Sequence, residues 1–128
     1  MMLRFQIITN NKMVETELGT KYDVKYFDIT YGEILDKAHF MIAEGYKLLS
    51  HPLSGSVKPN ETPFKSIMLS KEKTDLDLES LALIEKAIET YRKFPKIDVK
   101  YKDSVINDFR CVDYTLIKSA VSSIDMNM

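Results

Sequence analysis

One cysteine, Cys111, in 128 residues excludes an intramolecular disulfide, a thiol-cluster metal site and a self-contained dithiol cycle. Excess charge of one sign is missing too. Eighteen basic residues face 19 acidic ones, for a formal net charge of −1, so nothing general draws the chain to nucleic acid or anionic lipid. No apolar run approaches the ~20 residues needed to cross a bilayer. The opening residues, Met1 to Asn11, lack the apolar core and small-residue cleavage site of an export signal. The expectation is a cytoplasmic protein with no nucleic-acid or membrane partner. On that expectation, Asn60-Glu61-Thr62 is not read as a glycosylation site. There is no Gly-x-Gly-x-x-Gly, no phosphate-binding loop ending Gly-Lys-Ser/Thr, and no His-Glu-x-x-His. No cofactor and no metal are therefore expected. Glycine and proline number only four each, and three of the prolines crowd into residues 51–66.

What is present is an ordinary globular composition, 45% hydrophobic and 29% charged, long enough for a single domain spanning 1–128. Leu3 to Thr9 is aromatic and β-branched and stops at Asn10-Asn11, which predicts a buried strand. Asn11 to Gly19 fits a short helix or an irregular crossover, and Tyr22 to Asp28 a second strand. Thr30-Tyr31-Gly32-Glu33 has the form of a capping box. Ile34, Leu35, Ala38, Met41 and Ile42 follow at helical spacing, and Gly45 fits the stop. Tyr46 to Ser50 is expected as a third strand and Lys65 to Lys71 as a fourth. Leu78, Leu81, Ile84, Ile88 and Tyr91 mark one face of a helix that ends before Pro95. A final helix carries the stripe Ile106, Phe109, Asp113, Ile117, Ala120 and Ile124, flanked by Val105, Val112, Leu116 and Val121. Asp113 is its one polar member, either a buried partner for a basic residue or an interface residue.

That order predicts a three-layer, Rossmann-like α/β domain of about four mostly parallel strands with two C-terminal helices. The second strand, the helix after Thr30 and the third strand would form a right-handed βαβ unit. With the third strand beside the first, a switch point would open between them, and ligands favour such crevices. The segments meeting there would be Thr9-Asn10-Asn11 and His51 to Ser56.

Residues 51–66, HPLSGSVKPNETPFKS, form the most informative stretch. A polar connection of that length in a small domain is generally functional or disordered. Pro52, Pro59 and Pro63 stiffen it. Ser54-Gly55-Ser56 with Lys58 resembles an anion cradle, in which glycine exposes backbone amides, hydroxyls donate and lysine supplies charge. The same residues fit a solvated Ser/Gly turn. His51 near Ser54 or Ser56 admits a nucleophile-and-base arrangement, although no Gly-x-Ser-x-Gly elbow or orienting carboxylate is evident. Asn10 and Asn11 fit either ligand contact or turn geometry. His39 reads as a residue at the edge of its helix face, and Cys111 as an inert thiol away from the apolar stripe.

The run HPLSGSVKPNETPFKSI, with TNN near the start and DLESLALIEKAIET further on, resembles the GrdX family over roughly residues 5–95. The final helix carries no motif that adds to it. Members of this family are small proteins encoded beside glycine, sarcosine and betaine reductase components in amino-acid-fermenting anaerobic bacteria. The resemblance implies an accessory of those reductases rather than a catalytic subunit, with the reductase components as partners. The combined expectation is a binding protein, more readily non-catalytic than enzymatic, for a small anionic metabolite or a reductase partner. Its site would comprise Thr9, Asn10, Asn11, His51, Ser54, Gly55, Ser56, Lys58, Asn60 and Glu61. The alternatives are a small hydrolase or acyl- or phosphoryl-transfer enzyme using His51 with Ser54 or Ser56, and a structural protein that forms a homo-oligomer through its last helix.

Overall fold

The computed structural model describes residues 4–53, 61–95 and 100–126. The elements run β1 (Phe5–Thr9), α1 (Lys12–Leu18), β2 (Asp23–Tyr26), α2 (Tyr31–Ala43), β3 (Ser66–Ser70), α3 (Leu78–Lys93) and α4 (Asp103–Met126). The sheet order is β2-β1-β3, with β1 parallel to β2 and antiparallel to β3.

The starts of α1, α2 and α3 have local causes. Asn11 caps α1 by accepting from the Met13 amide. The Thr30–Glu33 box caps α2 in both directions, and Asp77 caps α3 through the Ser80 amide. Gly45, at φ 114°, ends the α2 connection in a conformation that favours glycine.

Alternation along the strands produces three layers. Ile8 of β1 and Ile67 and Leu69 of β3 face α2 and α3, where Ile34, Leu35, Ile42 and Ile84 are fully buried. Ile7 and Met68 face the other way, onto Val14 and Leu18 of α1 and Ile117 and Val121 of α4. Burying each such aliphatic side chain contributes roughly 1.5–3 kcal/mol, so the two helical layers lock the small sheet from both sides.

The expected four-stranded, mostly parallel sheet is corrected here to a three-stranded mixed one. Residues 46–50 make one isolated bridge, Leu48 to Leu69, antiparallel to β3. The segment has little room to extend. The Tyr46 amide turns back to the Met41 carbonyl, the Lys47 amide goes to the Ser70 hydroxyl, and Pro52 lacks an amide donor. Because β3 is antiparallel to both β1 and this segment, the segment runs in the direction of β1 on the far side of β3. The expected βαβ unit around α2 therefore does not join neighbouring strands. The parallel unit is β1-α1-β2. The expected switch point between adjacent first and third strands is absent, because β3 stands between them.

Candidate functional site

Thr9, at the end of β1, pairs in register with Ser66, at the start of β3. The last residues of β1, the exit limb of the 51–66 loop and the middle of α4 therefore meet at one end of the sheet. Asn10 ties the limb down. Its side-chain amide donates to the Ile29 carbonyl at 2.8 Å and the Pro63 carbonyl at 2.9 Å, and its carbonyl accepts from the Lys65 amide at 2.8 Å. Asn11 caps α1 and donates to the Arg110 carbonyl and to Asp113 Oδ2, both at 3.0 Å. Both asparagine side chains are thus committed internally, and they hold the limb and α4 in place.

Above them runs a directional chain of hydroxyls. Ser66 Oγ donates to Asp113 Oδ2 at 2.7 Å. A serine has one proton to donate, so the 2.7 Å contact between Thr9 and Ser66 is a donation from Thr9. Thr9 in turn accepts from the Asn11 amide at 2.9 Å. Asp113 is 7% exposed. Burial pushes its carboxyl up from the ordinary range, against the hydrogen bonds from Ser66 and Asn11 and the charge of Lys65.

Lys65 is the anomaly. It is 4% exposed, and among the described residues its ammonium makes no hydrogen bond and no ion pair. The nearest compensation is the Tyr31 ring, 5.8 Å from the nitrogen to the centroid, and the charge of Asp113. Burial brings the amine down to about 8, and Asp113 opposes that shift. A buried cation is costly unless paired, which marks Lys65 as a candidate site residue.

Lys65, Asp113, Tyr31 and Thr62 line a cavity of about 20 Å³, with Phe64, Val112 and Leu116 as apolar wall. That is room for about one or two waters. Val112 is 41% exposed, so this wall reaches the surface. Tyr31 is buried and stacks on Tyr91 with centroids 5.1 Å apart, and burial raises its phenol above the ordinary range. The limb is clamped from α4 and the turn before it. Tyr101 donates to the Glu61 carbonyl at 2.8 Å, and the Arg110 guanidinium lies over the Phe64 ring at 5.1 Å.

Of the residues expected at the site, Thr9, Asn10 and Asn11 come together, and Glu61 is tethered by its backbone. His51 is exposed, and its Nδ1 accepts from the Leu53 amide at 3.1 Å. Ser54, Gly55, Ser56, Lys58 and Asn60 lie outside the described residues. Sequence reasoning missed Lys65, Ser66 and Tyr31. A signal for Lys65 existed: in strand alternation it shares a face with Ile67 and Leu69, which points a lysine toward the core. Asp113, singled out as the one polar residue of its stripe, is indeed buried. Among the described residues no cluster of metal-ligating side chains occurs, and no helix is long and apolar enough to cross a membrane.

A three-layer α/β domain with a buried, unpaired lysine at one end of a short mixed sheet defines the structural class. A family model described as GrdX-like protein matches residues 6–122, and the chain belongs to that family. The match takes in most of α4, beyond the region where motifs carried the resemblance. No match was found among curated proteins or among solved structures.

Proposed function

We propose that this protein is a binding accessory of reductive amino-acid fermentation that seats a small anionic metabolite at the end of the 51–66 loop. The observation that carries the reading is the Lys65 ammonium, buried and without an ion-pair partner among the described residues, lining a small cavity. A carboxylate or phosphate oxygen entering there would supply the missing counter-charge. In this reading Thr9, Asn10 and Asn11 hold Lys65 and Asp113 in place. In the same reading His51, Ser54, Gly55, Ser56, Lys58, Asn60 and Glu61 of the 51–66 loop contact the ligand or a reductase component.

Family membership supports the link to glycine, sarcosine and betaine reductases. Nothing in the described residues favours the hydrolase alternative, because the His51 Nδ1 lone pair is occupied by a backbone amide. The test is thermal shift against acetate, acetyl phosphate, phosphate, glycine, sarcosine and betaine. A ligand at ~100 times its dissociation constant adds about 2.7 kcal/mol, a shift of several degrees for a domain of this size. A shift present in the wild type and lost in Lys65→Met supports the reading. Equal shifts in both proteins, or none, overturn it. Recovery of reductase components with the tagged protein from a native lysate tests the partner half.

A further inference from the structure

We propose that the Lys65 amine condenses with the carbonyl group of a small aldehyde or 2-oxo acid, forming an imine in the cavity bounded by Tyr31, Thr62 and Asp113. The inference deepens the anion-seat reading and rests on its choice of Lys65 as the residue that meets the ligand.

Four observations converge. The amine is buried and makes no hydrogen bond or ion pair among the described residues, so its nitrogen is not held in an internal contact. A cavity of about 20 Å³ adjoins it, room for about one or two waters, so only the smallest oxo compounds suit it, and one of two carbons enters with a shift of the partly exposed Val112. The wall of Phe64, Val112 and Leu116 is apolar, which lowers the polarity around the amine and favours its neutral form. A carboxyl group lines the same cavity. Burial raises Asp113 above the ordinary carboxylate range, which favours its holding and returning a proton, and its Ser66–Thr9 hydroxyl chain fixes its orientation.

The step balances without an oxidant or reductant. The neutral amine's lone pair attacks the carbonyl carbon, and the carbonyl π pair moves to oxygen. Oxygen gains a proton as nitrogen loses one, giving a carbinolamine. Asp113 protonates the hydroxyl, which leaves as water while nitrogen's lone pair forms the C=N bond. The remaining nitrogen proton returns to Asp113. One water is released and no net proton is consumed.

Burial also supplies the nucleophile. An amine titrating at about 8 instead of the ordinary 10.5 holds on the order of 100-fold more neutral form at pH 7 than a surface lysine. Lysine reacts as the free base, so this favours Lys65 over the exposed Lys86 and Lys93.

The experiment incubates the full chain with glyoxylate and sodium cyanoborohydride at pH 7 and maps the adducts by peptide mass. Trapping converts the imine to a secondary amine, read as the mass gain of one carboxymethyl group. The expected result is Lys65 modified at least about tenfold faster than Lys86 or Lys93. That preference should vanish in urea, be absent in Lys65→Arg, and fall in Asp113→Asn variants that retain the native circular dichroism. Even labelling across the lysines, unchanged by urea, overturns the proposal.

Acetate, which has the carboxylate but no electrophilic carbonyl, separates the two readings. A Lys65-dependent thermal shift with acetate, without a reducible glyoxylate adduct at Lys65, overturns the imine and leaves the anion seat standing. Absence of both overturns both.

Discussion

Replacing Lys65 with methionine is expected to stabilise the fold at neutral pH. In the unfolded chain this amine titrates near 10.5, and in the folded protein at about 8. That separation corresponds to about 3 kcal/mol of penalty on the charged form. Below pH 8 the lysine is protonated in both states, and the folded state bears the whole penalty. Between pH 8 and 10.5 the folded protein sheds a proton that the unfolded chain keeps, so wild-type stability contributed by this group rises with pH. Methionine removes the charge at similar length. It also removes the attraction to the Tyr31 ring, about 1 kcal/mol, while the attraction to Asp113 is already contained in the folded value of about 8. The net gain at pH 7 is therefore about 2 kcal/mol, and it should shrink toward zero by pH 10.5. Urea unfolding at pH 7, 9 and 10.5 reads this directly, because about 2 kcal/mol moves the midpoint by roughly 1 M for a domain of this size. A Lys65→Met protein less stable than wild type by about 1 kcal/mol or more at pH 7 would refute the reasoning. It would show Lys65 and Asp113 to be a stabilising pair rather than an amine held at a cost.

Asp113 gives the opposite slope. Its folded-state pKa lies above 3.8, so the folded protein binds the extra proton, and this group's contribution falls as pH rises from about 3.8 through the folded value. Asp113→Asn should flatten that slope in denaturant titrations, and an unchanged slope would place the titration elsewhere. Asn10→Ala removes acceptance from the Lys65 amide and donations to Ile29 and Pro63, and should cost about 2–4 kcal/mol by urea unfolding. A cost within experimental error would mean the limb is held by other contacts. Gly45→Ala combines a φ of 114° with a new Cβ only 2.4 Å from the Thr74 carbonyl oxygen, and should lower the melting temperature by several degrees.

The helical part of the fold was legible because its signals are local. The Thr30–Glu33 box, the 3.6-residue period after it and the α4 stripe depend on neighbours within a few residues. The sheet was less legible. Strand positions followed from β-branched runs, but direction depends on what connects the strands. The segment at 46–50 and β3 are antiparallel neighbours, a direction set by how the chain between them returns to the same end of the sheet rather than by any local residue pattern. Proline stiffness drew attention to the 51–66 loop but did not locate the buried charge. Lys65 looked like the polar flank of a strand, and only packing of Tyr31, Asp113 and the limb around it reveals that its ammonium is enclosed. Asp113 stood out earlier because one acid on an apolar helical face breaks a period that sequence displays directly.

The central claim is that Lys65 is an unsatisfied cation awaiting a small anion. The most direct measurement is NMR titration of the labelled Lys65 side chain, assigned with Lys65→Arg, in the free protein and with saturating acetate or phosphate. The account predicts titration near 8 in the free protein, and a higher pKa with the anion bound, since a counter-charge favours the protonated amine. Titration near the ordinary 10.5, unmoved by either anion, would contradict it.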